Sequence, residues 1–464
     1  MTAGWEEDNA YHEATRFLID RINYEKATNQ PYTKQYYRLN RMRRLLSELG
    51  DPHLRCPVIH IAGTKGKGST AWLLSETLRL AGYCTGRYTS PHLIHLEERF
   101  SVNGSNPTRP EFIAMVDQIR NAVERMNEPG GEPPTFFELT TALAWLYFAS
   151  KNTDFAVVEV GLGGRLDSTN VCSPVLTVIT SISFDHEQQL GNTLALIASE
   201  KAGIIKSPVP VVSGVSAPEA ADVIADVAKN HSAPLRLIHK DFRYRWKAPS
   251  DGGARASFSY EADPRVFRLS RTLTNIPLLV MGGHQAHNAA VVCACTDWLR
   301  EMGYSILEGA TRDAFANTQI PARLEIVSKK PNVIIDSAHN EASVAALIQT
   351  LGEYFPAKKK TLVFAVSRDK NYQAILRQLV RSFDSIIVTQ FQSNPRAVEH
   401  SQLYQATLDA IAEVKPVSVP KVTVHALPDE ALRSAIHDSS EQDLIVVAGS
   451  FFLAAELLPS FRKN

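Results

Sequence analysis

The stretch "HIAGTKGKGST", residues 60–70, joins a short apolar run to an amphipathic one. In the sequence that follows, "AWLLSETLRLAG", one stripe of a helix would carry Leu73, Leu74, Leu78 and Ala81. A glycine-rich turn between a strand and a helix is the context in which backbone N–H groups and a helix N-terminus bind phosphate. The stretch therefore predicts a β-strand, a phosphate-binding loop and an α-helix, in that order.

The glycine loop has the spacing G-x-x-G-K-G-S, which differs from the common phosphate-loop spacing G-x-x-x-x-G-K-[ST]. We expect Lys67 to reach the terminal phosphates of a nucleotide. Ser69 or Thr70 would then cap the helix or bind phosphate. The alternative is an ordinary glycine-rich turn, and the strand before the loop and the helix after it favour a nucleotide.

Short apolar runs alternate with amphipathic runs along most of the chain, which is typical of an α/β domain with a mostly parallel sheet. Between residues 234 and 280 the pattern changes to a small antiparallel part, with strands predicted in "RLIHKDFRYRWKA", "ASFSYEA" and "VFRLSRTLT" and with "PSDGG" as a turn. A second α/β series begins near residue 318. We predict a P-loop α/β domain over residues 1–318 and a Rossmann-like α/β domain over residues 319–464, with a ligand crevice between them. The buried strands of the first series are expected in "PVIHIAG", "DFAVVEVG", "VLTVITSIS" and "VPVVSG".

The chain has 464 residues, of which 49 are basic and 49 acidic, so its formal net charge is zero. This balance gives no electrostatic reason to expect nucleic acid or an anionic membrane as a partner. The five cysteines are scattered without metal-ligand spacing, which favours free thiols in a reducing compartment. Because there is no signal-like N-terminus and no apolar run of about 20 residues, we expect a soluble, cytoplasmic protein.

One carboxylate, Glu159, stands near the end of the otherwise apolar run "DFAVVEVG". A buried carboxylate needs a partner, and beside a phosphate loop that partner is Mg²⁺, which takes oxygen ligands and phosphates. The alternative is a strand end that reaches solvent. The glycines of the following "GLGGRLDSTN" leave room for a ligand near Arg165 and Asp167.

Three other side chains are informative only in combination. His186 lies in the loop "SFDHEQQLGNT", Lys201 lies late on the next predicted helix, and Ser90 follows a short strand in "YTSPHL". Taken singly, they have ordinary explanations as a surface or capping residue, a partner of the helix dipole and a turn residue, respectively.

Taken with the glycine loop, these residues resemble folylpolyglutamate synthase and the bifunctional dihydrofolate synthase, in the Mur-ligase-like family that forms amide bonds. The resemblance runs in order from about Tyr24 to the C-terminus, and the stretch from Ser181 to Lys206 is its most specific part. The motifs that carry it are "HIAGTKGKGST", "YTSPHL", "TFFELTTALA", "VEVGLGGRLDSTN", "SISFDHEQQLGNTLALIASEKAGIIK", "HQAHNA", "PARLE", "DSAHN" and "GSFFLAAE".

The resemblance implies a role for each matching position. The residues that it implies for ATP binding are Thr64, Lys65, Gly66, Lys67, Gly68, Ser69, Asn288, Arg323 and Asp336. Two magnesium sites fall to Ser90, Glu159, His186 and Lys201, and Lys201 would be carbamylated so that it becomes a carboxylate-like ligand. The pterin would lie on Thr135, Leu166, Asp167 and Ser168, and glutamate on His339 and Ser450. The catalytic residues would be Lys67, Lys201, His186 and His339.

Three positions depart from the family pattern. The usual "DGAHNP" appears as "DSAHNE", with Ser337 for glycine and Glu341 for proline. Phe452 stands where tyrosine is common, and Asn371 in "RDKN" stands where the family has a second aspartate. The resemblance implies that the first of these departures touches the nucleotide–glutamate cleft.

The implied reaction is ATP-dependent addition of L-glutamate to the carboxylate of a folate, and also of dihydropteroate, through an acyl phosphate. We expect a monomer whose two domains both contact ATP and close around the substrates. One alternative is another Mur-like amide ligase, but the residues upstream of Gly63 are too few for a UDP-sugar domain. They include "RINYEKATNQPYTKQYYRLNRMRRLLSELG", which we expect to help cover the pterin. The other alternative is a P-loop protein that uses ATP as a switch.

Overall fold

The structure is a computed structural model, and it describes residues 2–23, 39–126, 132–249, 256–357 and 359–462. The chain packs as two compact units. The first unit comprises Met1–Arg245, Phe258–Ile276 and Gln285–Thr318. The second unit comprises Trp246–Ser257, Pro277–His284 and Gln319–Asn464.

The part of the chain up to residue 318 contains both helices and strands. The helices of this part are α1 (Thr2–Ile19), α2 (Leu39–Glu48), α3 (Lys67–Leu80), α4 (Arg109–Arg125), α5 (Phe136–Ser150), α6 (Glu187–Leu190), α7 (Leu194–Ala202), α8 (Pro218–Asn230), α9 (Gly283–Glu301) and α10 (Glu308–Asn317). The strands are β1 (Val58–Ala62), β2 (Thr85–Tyr88), β3 (Phe100–Val102), β4 (Phe155–Glu159), β5 (Pro174–Ile179), β6 (Val211–Ser213), β7 (Leu235–Leu237), β8 (Phe242–Lys247), β9 (Ala256–Ala262) and β10 (Thr272–Leu278).

The main sheet of the first unit has the strand order β3-β2-β4-β1-β5-β6-β7 among the described residues. All neighbours are parallel except β3, which pairs antiparallel with β2. The central strands β1 and β4 are buried along their whole length, as expected for a parallel sheet covered on both faces. The predicted α/β fold class, with its mostly parallel first sheet, is confirmed.

Helix α5 is the most deeply buried helix-forming segment around this sheet. Its sequence "FFELTTALAWLYFAS" is apolar on nearly every side, and Leu139, Leu143 and Phe148 have at most 1% of their surface exposed. It packs in one core cluster with residues of α1, α2 and α4. A separate cluster joins α7 and α8 to β5 and β6.

The predicted antiparallel part forms a small sheet with the strand order β10-β9-β8. Two hydrogen bonds show that β9 and β10 run antiparallel. Ala262 N donates to Arg271 O, and Asn275 N donates to Ser259 Oγ, so later residues of one strand face earlier residues of the other. A strand was predicted in "VFRLSRTLT", but β10 begins only at Thr272. The "PSDGG" turn lies largely outside the described residues, as does half of the segment predicted to cover the pterin (residues 24–38 of 21–50).

The part of the chain after residue 318 forms a second α/β sheet. Its order is β11-β12-β16-β13-β14-β15, with β11 antiparallel to β12 and the other pairs parallel. The strands are β11 (Glu325–Lys329), β12 (Asn332–Ile335), β13 (Lys360–Phe364), β14 (Ser385–Val388), β15 (Lys421–Val424) and β16 (Leu444–Ala448). The helices are α11 (Glu341–Tyr354), α12 (Tyr372–Leu379), α13 (His400–Val414), α14 (Pro428–His437), α15 (Phe451–Leu457) and α16 (Pro459–Arg462).

All five cysteines are free thiols, as the sequence predicts, and Cys172, Cys293 and Cys295 are buried. Within the described part of the chain, every helix is too short or too polar to cross a lipid bilayer.

Candidate active site

Four neighbouring parallel strands of the first unit end at the same edge of the sheet. They lie in the order β2-β4-β1-β5. The glycine loop follows β1, Ser90 lies just beyond β2, Glu159 ends β4, and the segment 180–186 follows β5. Because parallel strands share the direction of their carboxyl ends, these four pieces of sequence meet at one place, the position in which α/β sheets bind ligands.

The glycine loop lies between β1 and α3, in the strand–loop–helix order that the sequence predicts. Gly66 has a φ of 85° at the N-cap of α3, so an L-residue would be strained there. A β-carbon at Gly66 would also collide with the side-chain amide of Asn288 on α9. The structure therefore places Asn288, predicted to contact the nucleotide base, directly against the phosphate loop.

The segment after β5 holds the glycine loop by its backbone. Thr64 N donates to Ser181 O at 2.7 Å, and Lys65 N donates to Ser181 Oγ at 3.0 Å. Thr180 Oγ1 donates to Lys65 O at 2.7 Å. The Lys65 ammonium lies 2.6 Å from Asp185 Oδ2. Sequence reasoning assigned Lys65 to ATP and did not identify Asp185 as its ion-pair partner.

Two lysines share one backbone acceptor in this loop. Lys67 Nζ lies 3.2 Å and Lys201 Nζ 3.0 Å from the carbonyl oxygen of Gly63. Lys201 is only 5% exposed. Burial, and secondarily the charge of Lys67, lowers the pKa of Lys201 to about 7. A large fraction of Lys201 is therefore an uncharged amine near neutral pH.

Three residues at this edge have the chemistry of a magnesium site. Glu159 is 5% exposed, and its Oε2 accepts a hydrogen bond from Ser90 N at 3.1 Å. A β-carbon at Gly68 would lie 3.5 Å from the same Oε2, which puts the carboxylate beside the start of α3. Thr70 Oγ1 is buried and has no hydrogen-bond partner among the described residues. One carboxylate with hydroxyl groups and phosphates is a set that suits Mg²⁺.

His186 is less closely tied to these residues. It has a left-handed φ of 53° before α6, and its Nε2 lies 3.9 Å from Asp185 Oδ1. Across the residues that the structure describes, no group of three or more His, Cys, Asp or Glu side chains is arranged to hold a metal ion. A magnesium site here would thus depend on hydroxyl and phosphate oxygens, and the role of His186 stays a prediction.

Thr135 and its neighbours organise a helix end. Thr135 is the N-cap of α5, and Glu138 completes the capping box by accepting from Thr135 N at 2.8 Å. Arg41 of α2 donates its Nε to both oxygens of Glu138, at 3.0 and 2.9 Å. Sequence reasoning missed Arg41 and Glu138, although the T-x-x-E spacing signals the cap.

Asp167 organises the loop that carries the other predicted pterin residues. Its Oδ2 accepts from Gly161 N at 3.1 Å and from Leu162 N at 3.0 Å, and its Oδ1 accepts from Thr169 N at 3.0 Å. Burial raises its pKa. Leu166 and Ser168 are buried beside it, and Ser168 Oγ lies 2.8 Å from Thr141 Oγ1. The carboxylate of Asp167 is thus engaged by its own loop, and direct contact with a pterin stays a prediction.

In the second unit, Asp336 bridges two backbone segments. It accepts from Leu324 N at 2.8 Å and from Ala338 N at 2.7 Å, and burial raises its pKa. The side chain of Arg323 donates from Nη1 to Ser337 Oγ at 2.6 Å. The structure therefore brings Arg323 and Asp336, both predicted to bind the nucleotide, into one loop pair.

The two predicted glutamate residues lie after strands of the same sheet. His339 follows β12, and its Nδ1 lies 2.8 Å from Ser337 O. Ser450 follows β16 as the N-cap of α15, and its Oγ accepts from Phe452 N at 3.1 Å. Both positions are at carboxyl ends of parallel strands, where α/β sheets bind ligands.

Two protein-family models match the chain: the Mur ligase middle domain over residues 61–296, and the Mur ligase glutamate ligase domain over residues 322–451. The chain therefore belongs to the Mur ligase family and is an ATP-dependent ligase.

Individual relatives narrow this assignment. A dihydrofolate synthase/folylpolyglutamate synthase of Bacillus subtilis is 35% identical over 421 residues, which cover 90% of this chain and 94% of that protein. The solved Mycobacterium tuberculosis folylpolyglutamate synthase complexed with ADP superimposes with a TM-score of 0.85 at 31% identity, covering 99% of both chains. Escherichia coli FolC in complex with DHPP and ADP gives a TM-score of 0.81 at 29% identity and 97% coverage of both chains. Within its family, the chain belongs with the folylpolyglutamate synthases and dihydrofolate synthases, which confirms the resemblance.

Proposed function

We propose that this chain uses ATP to join L-glutamate through an amide bond to the carboxylate of a folate, and also to that of dihydropteroate. The observation that carries the proposal is the meeting of the glycine loop, the Ser90–Glu159 contact and Lys201 at one edge of the first sheet. The names of the relatives, which include both folylpolyglutamate synthase and dihydrofolate synthase, support the use of both acceptors.

The chemistry follows from the poor reactivity of a carboxylate toward an amine. An oxygen of the acceptor carboxylate attacks the γ-phosphorus of ATP. The bond between the γ-phosphorus and the oxygen of the β-phosphate breaks, ADP departs, and the acceptor becomes an acyl phosphate. The uncharged amine of glutamate then attacks the acyl carbon. The tetrahedral intermediate expels inorganic phosphate, the nitrogen loses a proton, and an amide remains. Orienting the reactants can supply several kcal/mol of the barrier reduction.

The residues of the glycine loop, Thr64 to Ser69, hold the phosphates in this proposal. The backbone N–H groups at the start of α3 point toward the anion, and Lys67 offsets the charge on the transferred phosphoryl group. Asn288, whose side-chain amide lies against Gly66, contacts the base in this proposal. Arg323 and Asp336 are the other residues that we propose to bind the nucleotide.

Two magnesium ions fit the oxygen-rich part of this site. Ser90, Glu159, His186 and a carbamylated Lys201 would hold them. The ions would supply positive charge that offsets the phosphates.

The carbamate of Lys201 is supported by the burial and the lowered pKa of this side chain. Only the uncharged amine attacks CO₂; a nitrogen–carbon bond forms, a proton is released, and the product carries a negative charge. We expect Lys201→Ala to lower turnover about 100-fold or more, and short carboxylic acids to restore part of it. Addition of ¹³C-labelled bicarbonate should give a carbamate NMR signal in the unaltered protein that Lys201→Ala lacks. Equal signals in both proteins would contradict the carbamate.

In this proposal the pterin site is lined by Thr135, Leu166, Asp167 and Ser168, and glutamate is contacted by His339 and Ser450. Asp167 acts by shaping its loop, because its oxygens already accept backbone hydrogen bonds. We also propose that the protein is a cytoplasmic monomer, and light scattering would test the oligomeric state.

The decisive experiment incubates the protein with ATP, labelled glutamate and either dihydropteroate or tetrahydrofolate, and identifies the products by mass. We expect a product heavier by one or more glutamyl residues with each acceptor, together with ADP and phosphate. Product with tetrahydrofolate alone would restrict the proposal to polyglutamate extension. ATP hydrolysis that ignores glutamate and the acceptor would favour a nucleotide switch instead.

A further inference from the structure

The loop that carries Arg323 has a strained backbone. Ala322 and Leu324, on either side of Arg323, have left-handed φ values of 52° and 50°. For residues other than glycine this conformation costs roughly 1–2 kcal/mol each. Two carboxylates hold the loop in place: Glu325 Oε2 accepts from Ala322 N at 2.9 Å, and Asp336 Oδ2 accepts from Leu324 N at 2.8 Å. Strain that is held in this way is typical of functional sites.

Ser337 contacts the same loop twice. Its backbone N donates to Ala322 O at 3.0 Å, and its Oγ accepts from Arg323 Nη1 at 2.6 Å. Ser337 is 1% exposed, so the hydroxyl is fixed in the protein while Arg323 lies at the surface. The family pattern noted above has glycine at this position, and glycine offers no side chain to hold an arginine.

The physical effect of this bond is on the freedom of the arginine. An exposed arginine side chain loses about 2 kcal/mol of rotamer entropy when a ligand fixes it. The bond to Ser337 Oγ removes part of that freedom before any ligand arrives. It uses one N–H of Nη1 and leaves other N–H groups of the planar guanidinium for an anion.

We propose that Ser337 is a positioning residue for Arg323, and that its hydroxyl sets the guanidinium in the orientation that binds a phosphoryl oxygen of the nucleotide. The inference rests on the proposed role of Arg323 in nucleotide binding. Ser337 acts through Arg323 and has no contact with the ligand of its own.

The test compares Ser337→Ala, Ser337→Gly and Ser337→Thr by steady-state kinetics with ATP varied. Removing the hydroxyl should raise KM for ATP by about three- to tenfold and change kcat by less than about twofold. The reason is that the rotamer entropy of Arg323 is then lost on binding and weakens the affinity for ATP. Ser337→Thr keeps a hydroxyl and should stay within about twofold of the unaltered protein. The two backbone hydrogen bonds of residue 337 are kept in Ser337→Ala, so thermal unfolding should change little in that variant.

A double-mutant cycle with Arg323→Ala separates positioning from a general structural role. We expect Arg323→Ala to raise KM for ATP, and Ser337→Ala to have no further effect in that background. An equal effect of Ser337→Ala in both backgrounds would overturn the inference, as would loss of ATP affinity in Ser337→Thr with unchanged thermal stability. If Arg323→Ala leaves KM for ATP unchanged, the nucleotide role of Arg323 fails together with this inference, and the product assay for ligase activity is unaffected.

Discussion

The carbonyl oxygen of Gly63 accepts from two lysine side chains, Lys67 and Lys201. Two ammonium ions repel each other by about 4 kcal/mol at ~4 Å and an effective dielectric constant of about 20. Lys201 is the more deeply buried of the two, and burial lowers its pKa to about 7. The two lysines therefore differ in burial although both donate to the same oxygen.

This difference gives a prediction for Lys67. Lys67→Ala removes the charge that offsets the transferred phosphoryl group, and turnover should fall at least about 1,000-fold. Thermal unfolding should stay within a few degrees of the unaltered protein. Lys229→Ala, at an exposed position of α8, is the matched control and should keep full activity. Near-normal turnover of Lys67→Ala would remove the glycine loop from the mechanism.

His60 gives a prediction about pH. It is fully buried on β1, and burial lowers its pKa to about 3. Thr169 Oγ1 donates to Asp167, so it accepts from His60 Nε2, 2.8 Å away, and the imidazole is neutral. Below pH 6.5 the unfolded chain gains a proton that the folded chain does not bind. This histidine should therefore lower the free energy of unfolding by about 2 kcal/mol between pH 6.5 and 5.

Urea unfolding at pH 7 and at pH 5 tests this prediction. His60→Gln keeps a side-chain donor for Thr169 but does not titrate, so its loss of stability on acidification should be smaller by about 2 kcal/mol. His437→Gln is the control, because the side chain of His437 is 88% exposed. A pH dependence of His60→Gln equal to that of the unaltered protein would contradict the buried neutral imidazole.

At the level of single residues, the sequence predicts the types of group in the site better than their partners. Glu159 stood out as a lone carboxylate at a strand end, and the structure places it beside Ser90. The sequence does not show that Asp167 binds its own loop. Its oxygens accept from backbone N–H groups of that loop, and only the folded chain brings these groups together. The left-handed backbone at Ala322 and Leu324 also could not be predicted, because neither residue favours it.

At the level of elements, the alternation of strands and helices predicts the sheet edge that holds the site. The alternation of strands and helices does not predict the strand order β2-β4-β1-β5. Parallel strands nevertheless bring their carboxyl ends to one edge of the sheet whatever their order. Strand β10 was predicted to begin at Val266, which is too early, because the turn after Asp263 was not recognised. The carbonyl oxygen of Asp263 accepts from Val266 N at 3.0 Å and from Phe267 N at 2.9 Å, so a turn covers the first residues of the predicted strand.

A side-chain hydrogen bond between two residues that depart from the family pattern links helices α11 and α12. Asn371 is the N-cap of α12, with its Oδ1 accepting from Ala374 N at 3.3 Å. Its Nδ2 donates to Glu341 Oε1, in the first turn of α11, at 2.9 Å. An aspartate at 371 could still cap α12, but it would place a second carboxylate against Glu341.

Asn371→Asp should therefore lower the free energy of unfolding by about 1 kcal/mol at neutral pH, since a hydrogen bond is replaced by repulsion. Glu341→Gln combined with Asn371→Asp reverses donor and acceptor, and it should recover most of the loss. Chemical unfolding of the single and double variants measures both effects. An Asn371→Asp protein as stable as the unaltered one would show that the contact contributes nothing.

At the level of the whole molecule, the order of chemical steps predicts how ATP consumption depends on the two other substrates. Without an acceptor no carboxylate attacks ATP, and ADP should form only at a background rate. With an acceptor but no glutamate, the acyl phosphate has no amine to react with, so at most about one ADP per chain should form rapidly. Sustained ADP release requires both. Rapid-quench measurement of ADP checks this, and sustained turnover with ATP alone would contradict the ligase mechanism.

The sequence predicts a division into two α/β series near residue 318, because each series has its own run of expected buried strands. The exchange of short segments between the units was not visible. Trp246–Ser257 and Pro277–His284 belong to the second unit although first-unit residues surround them in sequence. Membership of a compact unit depends on long-range packing, which local patterns of hydrophobicity do not record.

This exchange of segments bears on how the chain leaves the ribosome. Synthesis passes from one unit to the other four times before the fifth change, at Gln319, begins the last long segment. Trp246–Ser257 and Pro277–His284 are synthesised before Gln319–Asn464, which makes up most of their unit, so they cannot complete their packing until that segment is made. A protein expressed only as far as Thr318 would carry both pieces without their counterpart, and one begun at Gln319 would lack them. We therefore expect neither half to behave as an independently folding fragment.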